Sequence, residues 1–347
     1  MAEILITGGA GFIGARLALQ LLSDGHRVTV FDNFSRIGTE LRVRWLHEHY
    51  ETEDQLRVVR GDVTDFASIL AATRGAERIY HLAGQVSVTG SVQNPLLDFA
   101  DNAQGTLNAL EAARREGNNP VFIYASTNKV YGGLEDLPIG ESPTSYLYAD
   151  SRRGVSESQP IDFRSPYGCS KGCGDQYTLD YFRVYGLRTV VMRQSCIYGP
   201  WQLGTEDQGW VAWFMLAALR GKAITIYGDG KQVRDLLFVQ DLVESYECAA
   251  RNIDQTAGKV YNIGGGADNK LSVWREFGPI LEGMMGREIP VHYAEWRPAD
   301  QKIFVSDIER AQNELFWSPK VPVEKGLRLL FEWLRDNLEN FPPSEAP

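Results

Sequence analysis

The stretch Thr7-Gly8-Gly9-Ala10-Gly11-Phe12-Ile13-Gly14 constrains this chain more than any other. It follows an apolar run, Glu3 to Thr7, and opens a segment of helical periodicity, with Gly8, Gly11 and Gly14 three apart. Glycines at such a strand-to-helix turn let the backbone fold back tightly and approach a pyrophosphate, whose charge the free N–H groups at the helix start stabilise. A second run, Arg27 to Phe31, is followed by Asp32, 18 residues beyond Gly14. A carboxylate there accepts hydrogen bonds from adenosine ribose hydroxyls and repels a 2'-phosphate, so the spacing predicts NAD rather than NADP. Arg36 makes that choice less sharp, since a guanidinium either accommodates the phosphate or covers the adenine. Taken in isolation, the turn is also a plain strand–helix junction with Asp32 as a helix cap.

Further apolar runs at Leu56 to Arg60, Arg78 to His81 and Val121 to Ala125 alternate with amphipathic segments. The expected class is therefore α/β, a Rossmann-like doubly wound parallel sheet with helices on both faces. A helix is expected from about Asn94 to Arg115, with Leu97, Ala103, Leu107 and Leu110 on its apolar face, and another from Tyr167 to Tyr185 before a strand at Leu187 to Met192. Residues 133–165 are polar and turn-rich, an excursion of the kind that often forms a functional lid. Beyond Ser195, Gly and Pro breaks mark a smaller mixed α/β carboxyl-terminal lobe, ending in a helix around Gly326 to Leu338. The expected division is a cofactor domain over 1–194, rejoined by a segment at about 230–255, and a mainly substrate-binding lobe over 195–347.

Composition excludes several classes. The 347 residues are 44% hydrophobic, enough to fill a sizeable core, while 35 Lys and Arg against 45 Asp and Glu give a formal charge of −10. That balance opposes binding to nucleic acid or to an anionic membrane. No apolar run reaches the roughly 20 residues of a membrane span, and a strand begins almost at once, so a cytoplasmic location is expected. Cys169 and Cys173 have no second pair or nearby histidines, and no metal is expected.

Tyr167 and Lys171 lie four apart, on one face of a predicted helix. An ammonium beside a phenol favours the phenolate, as does the positive nicotinamide of oxidised NAD, which would make Tyr167 a general base. Such a pair is otherwise common on helix surfaces.

Together with Asp62-Val63, HLAG at His81 to Gly84, Asn102 within NAQGT, and Ser126-Thr127, these motifs resemble the extended short-chain dehydrogenase/reductase family, which modifies nucleotide sugars. The resemblance continues through VRD at Val233 to Asp235, YNIGGG at Tyr261 to Gly266 and RPADQ at Arg297 to Gln301. HLAGQVSVT, STNKVYG, SPYGCSKG with DQY, DQGWVAWF and GDGKQVRD resemble more narrowly its CDP-tyvelose (CDP-paratose) 2-epimerase branch.

The resemblance implies that NAD is held by Gly8, Gly11, Phe12, Ile13 and Gly14 at the turn, and by Asp32, Asn33 and Arg36 after the second strand. Asp62 and Val63 would meet the adenine; Leu82, Ala83 and Gly84 would line the cofactor; Asn102 and Ser126 would stand near the nicotinamide. Thr127, Tyr167 and Lys171 become the catalytic set, with Lys171 also on the nicotinamide ribose. Gln85, Asn128, Ser195, Tyr227, Arg234 and Arg297 fall to the substrate, the two arginines on a diphosphate and Tyr227 on the base. Read from the residues alone, Arg234 is also a structural arginine beside Asp235, Arg297 a solvated loop charge and Tyr227 a core aromatic. Trp210 and Trp213 suit either core or base pocket. Cys196 stands where many relatives carry an asparagine near the diphosphate, and a thiol is a weaker hydrogen-bond partner.

Dehydratases of the family resemble one another in an Asp-Glu pair directly after the Thr. Here Asn128 and Lys129 follow Thr127, and neither a carboxamide nor a charged ammonium serves the acid–base work of eliminating water. The resemblance then implies NAD-dependent epimerisation of a nucleotide-diphospho-sugar through a transient keto-sugar, at C2 of a CDP-linked hexose. A UDP-sugar 4-epimerase with the same Thr, Tyr and Lys, and a non-catalytic NAD-binding protein, are the alternatives. Relatives pair through helices flanking the sheet, so a homodimer or homotetramer is expected.

Overall fold

A computed structural model describes residues 1–50, 54–150, 152–297 and 300–341. Seven parallel strands form its main sheet, in the order Lys259–Ile263, Thr189–Gln194, Val121–Thr127, Arg78–His81, Glu3–Thr7, Arg27–Asp32 and Leu56–Arg60. The strand order reverses between Glu3–Thr7 and Arg78–His81, which opens a crevice at the carboxyl ends of those two strands. Helices cover both faces, so Ile4, Leu5 and Ile6 are all buried although they point alternately up and down.

Element ends shift from the sequence expectation in places that bear on the site. Val121–Thr127 runs two residues past Ala125, because Ser126 pairs with Arg193 and Thr127 with Gln194 on the neighbouring strand. That neighbour is Thr189–Gln194, displaced from Leu187 to Met192 by the turn after the left-handed Gly186. The preceding helix is Ser165–Tyr185, with a proline in its first turn where no N–H is needed. The expected Asn94 to Arg115 helix is three consecutive pieces: Pro95–Phe99, a wide π turn at Ala100–Gln104, and Gly105–Glu116. Apolar spacing does not register one residue of extra winding, yet such turns often mark functional positions, and this one carries the buried Asn102.

The chain rejoins the sheet within the segment about 230–255 and just beyond it. The helix Val239–Arg251 packs on one face and Lys259–Ile263 adds the outermost strand, while Val233–Phe238 stays in the small lobe. There it pairs in parallel with Cys196–Tyr198 and Ile303–Phe304, and antiparallel with Lys270–Ser272. The lobe has its own core around Met215, Ile226, Phe277, Leu281 and Leu327, closed by the last helix, Val323–Asp336.

The described part of the 133–165 insert is not an irregular loop over the large cleft. It folds as a hairpin, Ile139–Glu141 with Tyr146–Tyr148, and an apolar cluster including Leu134, Leu137, Val155 and Phe304 seats it against the small lobe. None of its described residues lines the large cleft; Ser151, like Pro298 and Ala299 of the RPADQ segment, lies outside the described residues.

Candidate active site

At the glycine-rich turn the backbone is bare by necessity. Gly8 has φ +68° and a Cβ there would stand 2.7 Å from the Ala83 nitrogen; a Cβ on Gly14 would stand 2.3 Å from the Gly8 carbonyl oxygen. Asp32 braces this turn from below, one carboxylate oxygen accepting from the Ala10 N–H at 3.1 Å and the other from the Phe34 N–H at 2.8 Å. Burial pushes its carboxyl upward against the pull of those N–H groups.

Above the turn lies a cavity of about 600 Å³ that runs from Asp32 to Tyr167 and Lys171. Every residue expected at the cofactor faces it except Asp62 and Asn102, and of the expected substrate group only Gln85 does. Asp62 instead accepts from Asn33 Nδ2 at 2.9 Å and from the Thr64 hydroxyl at 2.7 Å, fixing the loop ends beside the cavity. Asn102 donates to Asp98 and to Ser170, each at 3.1 Å, while its buried Oδ1 has no partner. A Cβ on Gly84 would come within 2.3 Å of that oxygen. The bare turn, the carboxylate at the second strand end and an unpaired amide oxygen fit a dinucleotide with an amide-bearing ring at the Tyr167 end.

At that end the central strand and one helix deliver the reactive groups. The Thr127 hydroxyl lies near the Tyr167 phenol and favours its ionised form, and Lys171 donates from Nζ to the Ala125 carbonyl at 2.6 Å. Asp175, one turn beyond Lys171, accepts from Ser126 Oγ at 2.7 Å and from Arg193 Nε and Nη2, each at 2.9 Å. Arg193 also donates to the Tyr131 hydroxyl at 3.0 Å. His81 hydrogen-bonds to the hydroxyls of Thr7 at 2.7 Å and Thr106 at 3.1 Å, and burial holds its imidazole down at about 3, hence neutral.

One expectation is corrected here. Burial pushes the Tyr167 phenol up to about 12, opposite to the direction the Tyr167–Lys171 spacing predicts, and the Lys171 ammonium donates to the Ala125 carbonyl. The Thr127 hydroxyl and the charge of Arg36 act in the lowering direction, and Asp98 opposes them. Lys171 itself is brought down to about 7 by burial, against Asp175 and Asp98.

The substrate-side residues gather in two groups. Arg234 is in an ion pair, but with Asp300 at 2.7 Å rather than with adjacent Asp235. Asp235 is occupied by the Ser195 hydroxyl and by the Gly266 and Ser306 N–H groups, both at 3.1 Å. Arg297 lies with its guanidinium 4.0 Å over the Tyr227 ring and donates to the Glu206 carbonyl at 3.2 Å. The Tyr227 hydroxyl donates to the Glu206 carboxylate at 2.7 Å, so neither residue is core or free. Asn128 Oδ1 accepts from Thr127 at 3.4 Å. Trp213 faces the cavity, whereas Trp210 packs 5.1 Å from Phe277 in the lobe core.

Sequence reading missed Arg42, Asp101, and the loop residues Gln202 to Thr205 and Gln208, all of which reach the cavity. Arg42 donates to the carbonyls of Trp201 and Ala10, and burial lowers it to about 10. Burial raises Asp101 to about 6. Only the Gly199-Pro200 break hinted at that loop.

Fold and site together define an extended short-chain dehydrogenase/reductase: a glycine turn at the sheet's switch point, a hydroxyl at a strand end, and a helix-borne Tyr and Lys. Within that class the chain belongs to the GDP-mannose 4,6 dehydratase family, which it matches over residues 5–330. It is 42% identical over 338 residues to a CDP-paratose 2-epimerase of Salmonella typhi, covering 95% of this chain and 98% of that protein. It is 32% identical to a UDP-glucose 4-epimerase of Mycolicibacterium smegmatis, over 96% of this chain and 98% of that one. Among solved structures it is similar to a dTDP-glucose 4,6-dehydratase from Streptomyces venezuelae with NAD and TYD bound, at TM-score 0.84 and 28% identity, covering 98% of this chain and 99% of that one. A Thermotoga maritima UDP-glucose 4-epimerase with UDP-glucose gives TM-score 0.82 and 30% identity, over 97% and 99%.

Proposed function

We propose that this chain is an NAD-dependent nucleotide-sugar epimerase that inverts C2 of a CDP-linked hexose of the paratose and tyvelose kind. One observation carries the reading: Thr127 at the strand end, near Tyr167 and Lys171 on one helix, is followed by Asn128 and Lys129 where the dehydratase acids would stand. The 42% identity to a CDP-paratose 2-epimerase supports the base and the carbon; the family's dehydratase name does not extend to a site without the acid pair.

NAD, held along Gly8 to Gly14, Asp32, Val63, Ala83 and Gly84, supplies a reversible hydride acceptor. Thr127 and Tyr167 hold the sugar hydroxyl from one side, so the proton leaves toward the phenol oxygen and returns from it once the carbon has turned its other face. To take that proton Tyr167 must first have lost its own to solvent and act as the phenolate; burial opposes that form, and the positive charges of Lys171 and of bound oxidised NAD would favour it. Arg234 and Arg297 exchange their present carboxylate and carbonyl partners for the diphosphate.

The test is incubation with CDP-, UDP- and GDP-linked sugars in deuterated water, with the product read by NMR. Inversion at C2 of the CDP-sugar without deuterium uptake is the expected result. Deuterium at the inverted carbon would overturn the hydride route, and inversion at C4 of UDP-glucose would favour the second reading, for which the M. smegmatis relative speaks.

The same reading covers assembly, division and place. Leu96, Phe99, Val184 and Tyr185 stand exposed on adjacent helices, at 83%, 59%, 61% and 53%, and suit burial in a homodimer or homotetramer; light scattering measures it. A cofactor domain over 1–194, rejoined by a segment at about 230–255, and a mainly substrate-binding lobe over 195–347 complete the division. No helix among the described residues is long and apolar enough to cross a membrane, and all four cysteines are unpaired, as in a reducing cytoplasm.

A further inference from the structure

Lys129 plays no part in the proton transfer above, yet it is a half-buried ammonium beside Arg234, Asp300 and Gln301. Its one hydrogen-bond partner among the described residues is Gln301 Oε1, at a long 3.5 Å, and no carboxylate there lies within ion-pairing distance of it. Its electrostatic neighbours are the Arg234 guanidinium, Asp300 and Cys196. Asp300 is already committed to Arg234 at 2.7 Å. Burial and then Arg234 push the ammonium down to about 8, while burial pushes the Cys196 thiol up to about 12, so the thiol brings no counter-charge. Two adjoining cations thus share one carboxylate. Such an arrangement is electrostatically incomplete without an anion.

We propose that Lys129 and Arg234 form one anion subsite, and that Lys129 binds the diphosphate of the sugar nucleotide in place of the side-chain amide that Cys196 lacks. This rests on the nucleotide-sugar reading above. A neutral sugar hydroxyl requires neither cation, whereas a diphosphate diester carries two negative charges, one for each. Lys129 also occupies the second position of the missing acid pair. The change that removes elimination chemistry therefore adds grip on the nucleotide half of the substrate.

The test titrates CDP and cytidine, with UDP and uridine in parallel, into the NAD-loaded wild type, Lys129→Met and Lys129→Arg by calorimetry. Lys129→Met is expected to weaken CDP by about 10- to 100-fold, the worth of one charge-assisted hydrogen bond, and to leave cytidine unchanged. The matching loss falls on KM more than on kcat, and Lys129→Arg recovers most of it. Replacing a poorly paired ammonium with an apolar chain keeps the melting temperature at or above wild type, which shows the fold intact. Undiminished CDP binding by Lys129→Met, or an equal loss for cytidine, overturns the inference. A wild-type preference for UDP would count instead against the cytidine base, and the Lys129 comparison would then be read from UDP and uridine.

Discussion

The two halves of the cleft are built differently. On the cofactor side most of the recognition surface is backbone: the turn at Gly8 to Gly14, the strand ends at Asp32 and Ala83, and side chains locked from behind. On the substrate side the charged groups already hold each other, Arg234 with Asp300, and Tyr227 and Arg297 with Glu206. A surface fixed by backbone geometry binds without giving anything up. Side chains that must trade partners bind at the cost of the contacts they leave, which favours selectivity over raw affinity.

The largest expected effect sits where the halves meet. Tyr167→Phe removes the proton carrier and is expected to lower kcat by about 10²- to 10⁴-fold while bound NAD, measured after release by denaturation, stays at the wild-type level. Loss of NAD in this variant would break the separation of the halves. Gly14→Ala strikes the cofactor half alone: its Cβ would stand 2.3 Å from the Gly8 oxygen, and the strain, about 1–3 kcal/mol, is expected to lower both melting temperature and dinucleotide content.

Next comes acid stability of the cofactor half. His81 is at about 3 in the folded chain against 6.5 when unperturbed, so the unfolded chain binds the extra proton between those values. Its contribution is full above pH 6.5 and is lost as pH falls below it, by about 2 kcal/mol at pH 5. Urea unfolding at pH 7 and 5 should show that slope, and His81→Gln should flatten it. Smallest is Arg297→Lys, which loses the planar stack on Tyr227 and is expected to raise KM about 5-fold with little change in melting temperature.

The contrast also explains what was legible in the sequence. Gly8, Gly11, Gly14, Asp32 and the Tyr167–Lys171 spacing are local signals, and the strands they punctuate lie within about two residues of their expected ends. Spacing placed Lys171 near Tyr167 but carried no information on depth or on the Ala125 carbonyl that takes its proton donor. Arg42 enters the cavity from the helix Thr39–His49, and Gln202 to Thr205 and Gln208 enter from a loop without periodicity. The partner of Arg234 lies 66 residues away, and that of Tyr227 21 residues back, in loops whose meeting only the tertiary fold decides.

The clamp made by Asp175 has a consequence for how such a protein can diversify. Because Asp175 shares a helix with Tyr167 and Lys171 and grips Ser126 and Arg193 on two neighbouring strands, the reactive groups ride on one stiff block of the sheet. The residues proposed for base and diphosphate, Tyr227, Arg234 and Arg297, hang from the small lobe and its loops. Drift in those loops can retune which metabolite is accepted while leaving the redox engine in register, so new specificities need not be accompanied by a relearned chemistry.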